Sequence, residues 1–245
     1  VGTAEWAALV DLDGDGLVDL VTATSTFTWY QNTGSAAAPV FTQSSSADNP
    51  LRGAGVAGVA AAFADLDGDG DLDAMLGSLT AGGGIYDSVH YLERDIVSGS
   101  GYRTGMCVSS DSAARVSVGD LNGDGLPDLI FGLSNGNIEL CINVGTPTQF
   151  NFEGAIFIEP FSSLGFPAPM VVDFDNDGDL DMVIGLSSSI RYYENIGTAT
   201  TYKFELNSGR AFTGISFSVG GLLSGGDLDG DGDLDIVMGS VSSGG

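Results

Sequence analysis

The chain has 245 residues, of which 43% are apolar, with 38 glycines, only 7 Lys+Arg and a formal net charge of −26. This apolar content allows a folded core, whereas the many glycines and few basic residues argue against long charged helices. No run of 18 or more apolar residues provides a candidate membrane span. The negative charge disfavours nucleic acids and anionic lipid surfaces as partners.

The acidic residues are concentrated in a nine-residue loop that occurs five times, with the pattern Asp-x-Asp-x-Asp-Gly-x-x-Asp. The loops begin at residues 11, 65, 120, 173 and 227, at intervals of 54, 55, 53 and 54, and contain 22 of the 33 acidic residues. Self-similarity at this period is typical of repeat architectures. Five bound divalent cations would reduce the formal charge from −26 to −16.

Short apolar runs flank every loop and predict strands, because runs of four to six residues bounded by Gly and Asp are too short for helices. The runs before the loops are residues 6–10, 59–64, 114–119, 168–172 and 219–224. Those after the loops are residues 20–23, 74–77, 129–132, 182–185 and 236–239. A third strand is predicted at residues 27–31, 85–92, 137–143 and 190–195, and a fourth at 39–42, 149–152 and 202–206. Four strands in about 54 residues match one propeller blade.

The loop chemistry indicates a cation site, since so many carboxylates in one turn would repel each other without a positive partner. Calcium takes six to eight oxygen ligands in a flexible shell, whereas magnesium demands a tight octahedron and is the weaker candidate. Positions one, three and five would supply side chains, position seven a backbone carbonyl, and position nine a closing carboxylate. Gly at position six allows the sharp turn. Ordinary Asp-Gly turns are the alternative, but they do not require three to five acids in each of five loops.

We therefore predict about five calcium sites, each with five ligands, of which the seventh-position residue contributes its carbonyl. The ligands are Asp11, Asp13, Asp15, Leu17 and Asp19; Asp65, Asp67, Asp69, Asp71 and Asp73; Asp120, Asn122, Asp124, Leu126 and Asp128; Asp173, Asp175, Asp177, Asp179 and Asp181; and Asp227, Asp229, Asp231, Asp233 and Asp235. Asn122 removes one negative charge, so the third loop should bind most weakly. The side chains of Asp71, Asp179 and Asp233 are expected to face solvent.

These motifs resemble the FG-GAP/VCBS repeat of integrin-α-like β-propellers. The resemblance rests on the loops, on the apolar-Gly pairs Phe131-Gly132, Ile184-Gly185 and Met238-Gly239, and on residues 30–41 and 193–204, which are similar to the family's Tyr-Glu-Asn-Thr-Gly stretch. It covers essentially the whole chain, although the second repeat departs from it after residue 79. It implies an all-β propeller of four-stranded antiparallel blades.

On this basis residues 1–245 form one repeat domain with four full blades and a partial fifth. The predicted blades are residues 5–57, 58–112, 113–166, 167–218 and 219–245. Because family propellers usually have six or seven blades, we expect either that more sequence belongs to the protein or that a neighbouring chain supplies strands by self-assembly. Unpaired strand edges favour such pairing. The start at Val1 likewise suggests a processed or partial chain.

Two cysteines occur, Cys107 and Cys141, and their spacing fits no zinc or redox motif. A disulfide between neighbouring repeats and two buried thiols are both compatible with the sequence, and an extracellular setting favours the disulfide. No Asn-x-Ser/Thr sequon is present, while the many Ser and Thr leave O-linked sugar open.

No catalytic residue and no organic cofactor are predicted. His90 is the single histidine, and its neighbours Asp87 and Ser88 would alternate faces in a strand, so a local triad cannot form. Paired carboxylates could serve glycoside hydrolysis, but nearly all are assigned to the loops. Trp29, Tyr30, Tyr91, Tyr192 and Tyr193 fall on third strands, where they serve either packing between blades or a sugar platform.

The sequence therefore predicts a calcium-stabilised extracellular β-propeller, secreted or on the cell surface, with an adhesive, structural or protein-interaction role. It could form part of a larger surface or filament protein whose partner is an extracellular protein or a glycan. The alternatives are a carbohydrate-binding lectin and a non-catalytic module of a secreted hydrolase. Fold alone does not choose among them.

Overall fold

The computed structural model describes residues 6–23, 27–45, 49, 51, 59–78, 90–92, 102–104, 114–154, 156–158, 164–186, 188–209, 212 and 222–239. These residues form eighteen β-strands, and no helix occurs among them. All strand pairs are antiparallel. The all-β prediction is therefore confirmed, and no helix that could cross a membrane is found in the described part of the chain.

The strands form five sheets, four of four strands and one of two, and within each sheet the strands neighbour one another in chain order. The first sheet contains β1 (Trp6–Val10), β2 (Asp19–Ala23), β3 (Phe27–Asn32) and β4 (Phe41–Gln43); the second β5 (Val59–Ala64), β6 (Asp73–Ser78), β7 (His90–Leu92) and β8 (Tyr102–Thr104); the third β9 (Ala114–Gly119), β10 (Asp128–Leu133), β11 (Ile138–Cys141) and β12 (Ile156–Phe157); the fourth β13 (Ala168–Val172), β14 (Asp181–Gly185), β15 (Ile190–Asn195) and β16 (Phe204–Leu206); and the fifth β17 (Leu222–Gly226) and β18 (Asp235–Gly239).

Each acidic loop connects the first two strands of a sheet, as the apolar runs predict. The ninth loop residue already belongs to the second strand: Asp19 pairs with Val10, Asp128 with Gly119. The second strands thus begin one residue earlier than their apolar runs. The carboxylate at position nine is consequently held in a sheet ladder rather than in a free loop.

The prediction of a fourth strand at residues 149–152 is wrong. Gln149 and Phe152 form only isolated bridges, to Thr146 and Asn143, and the fourth strand of that sheet is β12, which pairs with β11. Residues 142–153 instead form a hairpin beyond the end of β11. Single hydrogen bonds hold it, such as that from Glu153 N–H to the Ile142 carbonyl over 2.8 Å. The first strand of the fifth sheet is Leu222–Gly226. Residues 219–221, which the prediction also included in this strand, lie outside the described part of the chain.

The core lies between neighbouring sheets, so that the sheets are buried on both faces. One cluster joins the first two sheets, for example Trp29 with Ala60 and Leu76. Three more clusters join the second sheet to the third, the third to the fourth, and the fourth to the fifth. Burial on both faces explains why the second strands are continuously apolar instead of alternating.

The first strands lie side by side around a central cavity. β1 contacts β5, β5 contacts β9, β9 contacts β13, and β13 contacts β17, which also contacts β1. The last contact includes a hydrogen bond from Leu9 N–H to Ser224 Oγ over 2.9 Å. All five loops follow the ends of these first strands and so share one end of the arrangement.

Candidate metal centres

Four of the five loops bring three carboxylates together, with ligand oxygens within 4.8 Å of one another. The clusters are Asp11, Asp13 and Asp15; Asp65, Asp67 and Asp73; Asp173, Asp175 and Asp181; and Asp227, Asp229 and Asp235. Position one and position three take part in every cluster. Position nine takes part in three of them and position five in one. The spacing of ligands predicted from the sequence is therefore compatible with one cation per loop.

The loop backbone curls around its first carboxylate. Asp11 accepts hydrogen bonds from Gly14 N–H and Gly16 N–H, each over 2.9 Å. The second, third and fifth loops repeat both bonds, and the fourth loop repeats the one from position six, Gly178 N–H to Asp173. The bend requires left-handed backbone at positions four and six, with φ of 77° at Gly14 and 87° at Gly16. The fourth loop has Asn176 at position four, with φ of 61°, and Asn tolerates this region better than most residues. From the sequence, the need for glycine is predicted only at position six.

The carboxylate at position five fixes the backbone at the exit from the loop. Asp15 accepts a hydrogen bond from Leu17 N–H over 2.8 Å, and Asp124 does the same for Leu126 N–H. The equivalent bonds of Asp69, Asp177 and Asp231 hold the N–H of Asp71, Asp179 and Asp233. These bonds fix the peptide of position seven. Coordination by its carbonyl remains a prediction.

The carboxylate at position nine is buried in the first four loops, and in the first, third and fourth loops it accepts hydrogen bonds on both oxygens. Asp19 is fully buried and accepts Leu12 N–H (3.2 Å) and Trp29 Nε1–H (2.9 Å) on Oδ2, and Asn32 N–H (2.7 Å) on Oδ1. Asp181 is held in the same way by Phe174 N–H, Tyr192 Oη–H and Asn195 N–H. A carboxylate offers about four acceptor sites, so it can bind a cation and retain these bonds.

Burial raises the pKa of three position-nine carboxylates, Asp19, Asp128 and Asp181, against the lowering effect of their hydrogen bonds. The pKa of Asp128 is raised to about 6, chiefly by desolvation and further by the charges of Asp124 and Asp120, while the bonds from Asn143 and Leu121 oppose the shift. The pKa values of Asp19 and Asp181 are also raised, chiefly by burial. A bound cation would favour the ionised form of all three.

Sequence reasoning missed a buried asparagine at the end of the third strand. Asn32, besides its bond to Asp19, donates from Nδ2 to the Val18 carbonyl and accepts Gly34 N–H and Val40 N–H on Oδ1. Asn143 and Asn195 occupy the same place in the third and fourth sheets. The recurring Asn-x-Gly at residues 32–34, 143–145 and 195–197 is the signal that identifies them.

The third loop lacks a three-carboxylate cluster among the described residues, because Asn122 replaces the acid at position three. Asn122 Nδ2 donates to Asp124 Oδ2 over 3.0 Å, so an internal hydrogen bond stands where other loops have two facing carboxylates. This geometry agrees with the expectation of weaker cation binding there, which remains a prediction.

The expectation that the Asp179 side chain faces solvent is wrong, because this residue is only 8% exposed. Desolvation and the carboxylates of Asp177, Asp181, Asp175 and Asp173 raise its pKa to about 6. Oδ1 of Asp179 and Oδ1 of Asp175 are buried and accept no hydrogen bond. Two such oxygens in one loop are strongly unfavourable unless a cation binds.

The donor set fits calcium better than other metals. All candidate ligands are oxygens, which hard cations prefer, and no histidine or thiolate takes part in any cluster of the described residues. The ligands come from a flexible, glycine-rich loop, and calcium tolerates irregular shells of this kind more readily than magnesium. The bound ion would neutralise charge and cross-link each loop to its sheet.

Four of the five third-strand aromatic residues serve packing in this structure, while Tyr30 is half-buried and belongs to none of the clusters. Trp29, Tyr91, Tyr192 and Tyr193 are 7%, 1%, 1% and 4% exposed, and their side chains lie in the clusters between sheets. Tyr91 contacts Phe150 of the third sheet's hairpin, with ring centroids 4.7 Å apart. Burial leaves no ring face of these four for stacking on a sugar.

Cys141 is fully buried in β11 and is disulfide-bonded. Its predicted partner Cys107 lies outside the described residues, so the pairing remains a prediction. The backbone of His90 belongs to β7 and pairs with Leu76 and Thr104. Its side chain, together with Asp87 and Ser88, lies outside the described part.

Comparisons with known proteins agree with the loop and sheet pattern. Residues 11–76, 120–184 and 173–238 match the FG-GAP-like repeat. Human cartilage acidic protein 1 is 30% identical over 132 residues, which are 50% of this chain and 19% of the relative, so the chain spans a small part of its length. A solved lectin of Agrocybe aegerita, described as recognising non-reducing terminal N-acetylglucosamine, is 19% identical with a TM-score of 0.49, covering 96% of this chain and 57% of the lectin. Because the family matches span more than half of the chain and include all five loops, the chain belongs to the FG-GAP-like repeat family.

Proposed function

We propose that this chain is a calcium-stabilised β-propeller module that acts outside the cell in adhesion, structure or protein interaction, without catalysis. The observation that carries the proposal is the clustering of three carboxylates in four loops on a shared end of the sheets. Like charges at these distances disfavour the folded state unless a cation compensates. Calcium binding would therefore be part of the module's folding energy.

The sheet arrangement supports the propeller. Face-to-face packing of four-stranded antiparallel sheets, with their first strands around a common cavity, is how propeller blades are arranged. The contact between β17 and β1 supports a circular order of the five sheets described. The fifth sheet has two strands among the described residues.

An extracellular setting is supported by two chemical arguments. Disulfides persist in oxidising compartments, and Cys141 carries one. Extracellular calcium modules typically bind with dissociation constants of about 10⁻⁴ to 10⁻³ M, which suits the calcium concentration outside cells. Cartilage acidic protein 1, by its name a protein of cartilage, is a relative over half of this chain.

The use of the acids supports the proposal of a non-catalytic role. Carboxylates that bind a structural cation and backbone N–H groups are unsuited to general acid or base catalysis. None of the described residues that line the central cavity is acidic. We retain the lectin as an alternative, although the buried aromatic residues do not favour it. A glycan array at millimolar calcium separates the two: specific, calcium-dependent glycan binding would replace the protein-interaction proposal.

Calorimetric titration of chelator-treated protein with calcium tests the metal part of the proposal. We expect at least four sites of similar affinity, with magnesium binding at least tenfold more weakly. Protein treated with EDTA should keep its mass but lose thermal stability. Absence of calcium binding at millimolar concentrations would contradict the proposal, and only one or two sites would contradict the equivalence of the loops.

A further inference from the structure

Arg115 occupies a position where the other four sheets have apolar residues. It lies five residues before the first aspartate of its loop, and the equivalent residues are Trp6, Ala60, Ala168 and Leu222. Those four are buried together in one hydrophobic cluster, and Arg115 itself is only 8% exposed. A guanidinium thus occupies one of five equivalent positions in the first strands, and the other four positions hold apolar side chains.

No charged side chain among the described residues pairs with the guanidinium of Arg115. Its Nη1 donates to the Phe166 carbonyl, and its Cζ lies 4.0 Å above the centre of the Phe166 ring. Its Nε, however, is buried without a hydrogen-bond partner. Burial alone lowers the pKa of Arg115 to about 10, so the group remains charged at neutral pH. A buried charge without a counter-ion is strongly unfavourable, which indicates that an anion completes this site.

The space beside Arg115 is suited to a small ligand with one charged end. The central cavity has a volume of about 180 Å³ and is lined by side chains from all five first strands. A cavity of about 150 Å³ can hold a molecule the size of benzene. Most of the residues that line it are apolar, including Leu9, Met170 and Leu222, while polar atoms supply the larger part of the surface that faces the cavity.

Two hydroxyl groups add polar character to the same cavity. Ser117 and Ser224 line it, each three residues before the first aspartate of its loop. Ser117 Oγ accepts Val171 N–H over 3.2 Å, and Ser224 Oγ accepts Leu9 N–H over 2.9 Å. Because each oxygen is already an acceptor, each hydroxyl proton is available for donation to a ligand oxygen.

We propose that the central cavity binds a small carboxylate with an apolar body, held by Arg115 and oriented by Ser117 and Ser224. Arginine recognises carboxylates well because its planar donors match both carboxylate oxygens. The stacking on Phe166 and the bond to its carbonyl hold the guanidinium in place before binding, which reduces the entropic cost. The side chains of Leu9, Met170 and Leu222 can then contact a short hydrocarbon chain, which a bare inorganic anion lacks.

The test uses butyrate as the probe, with butyramide as the uncharged analogue and sulfate as the bare oxyanion, all in calcium. The chain has six arginines, so the ¹⁵N arginine Nε–H spectrum should show six signals. The signal that is missing from the spectrum of Arg115→Met belongs to Arg115. Butyrate should shift this signal saturably. Butyramide and sulfate should require at least tenfold higher concentrations.

Ligand-detected saturation-transfer measurements then compare variants without relying on the Arg115 signal. Arg115→Met should bind butyrate with at least tenfold lower affinity. It should fold normally, because the equivalent positions of the other first strands are apolar. Arg191→Met, which changes an exposed arginine, should bind as the parent does. Equal binding by Arg115→Met, equal binding of butyramide, a preference for sulfate, or no shift with any probe would each overturn the proposal. Its failure would leave the calcium titration unaffected, so the two proposals fail separately.

Discussion

The backbone N–H of Asn32 donates a hydrogen bond to Oδ1 of Asp19 over 2.7 Å. The same bond joins Asn143 to Asp128 over 2.9 Å and Asn195 to Asp181 over 2.7 Å. Each bond connects the last residue of an acidic loop to the end of the third strand. Each asparagine then caps the turn that leads to the fourth strand. The cation loop and the outer half of the sheet are therefore one hydrogen-bonded unit.

Asp181→Asn should destabilise the protein with or without calcium. The carboxylate accepts bonds from Phe174, Tyr192 and Asn195, and an amide NH₂ would face one of these donors. We expect a loss of about 2–3 kcal/mol in the free energy of unfolding, measured by urea denaturation in calcium and in EDTA. A loss confined to calcium would contradict the structural role of position nine.

Asp175→Asn provides the matched control in the same loop. No hydrogen bond reaches Asp175 Oδ1, so this carboxylate contributes negative charge without holding the described backbone. The variant should lower calcium affinity, and in EDTA it should be as stable as the parent or slightly more stable, because repulsion decreases. Equal destabilisation in both conditions would show that position three has a structural role as well.

Asn122→Asp should convert the third loop into a site like the others. The added carboxylate supplies the missing charge and removes the bond from Asn122 to Asp124. Since ligand charge sets calcium affinity, we expect the weakest site to tighten by about tenfold, or about 1.4 kcal/mol, in calorimetric titration. Asn135→Asp, in an exposed turn, adds the same charge outside the loops and should leave all sites unchanged. If both variants tighten binding equally, net charge rather than ligation is responsible.

Gly123→Ala should be more destabilising than Gly125→Ala, although both glycines have positive φ, 71° and 84°. A Cβ on Gly123 would lie 2.6 Å from Thr200 Cγ2 and 2.9 Å from the Ala199 carbonyl oxygen of the neighbouring sheet, whereas one on Gly125 would contact nothing within 4 Å. The conformational penalty of about 1–2 kcal/mol is common to both. The overlap should add about 1–3 kcal/mol for Gly123→Ala alone. Equal unfolding free energies would contradict the contact between the third loop and the fourth sheet's turn.

In EDTA, stability should increase as the pH is lowered from 7 towards 5. Folding raises the pKa values of Asp128 and Asp179 from 3.8 to about 6, so the folded state binds protons more tightly than the unfolded state. The resulting stabilisation is complete below about pH 4 and is lost as the pH rises through about 6. In calcium the trend should weaken or reverse, because protons compete with the ion for the same carboxylates. Melting temperatures across this range that fall with acidification in EDTA would contradict the assignment.

The sequence predicts the repeated parts of this structure well, and the parts that depend on neighbouring sheets poorly. The loops and the first and second strands follow from local pattern, because glycine, aspartate and apolar runs determine them within one hairpin. The burial of Asp179 and the position of Arg115 beside the central cavity depend on packing between repeats. The pattern of a single repeat does not determine such packing. The short fourth strand β12 was misplaced because residues 149–152 continue a hairpin without a regular ladder.

Thermal unfolding of the unmodified chain in calcium and in EDTA tests the central claim most directly. Each site occupied at 100 times its dissociation constant adds about 2.7 kcal/mol, and 1 kcal/mol shifts the melting temperature of a chain of this size by about 2–4 °C. Several occupied loops should therefore raise the melting temperature by more than about 10 °C, and calcium added back to the EDTA-treated protein should restore it. The same melting temperature in both conditions would contradict calcium-stabilised folding.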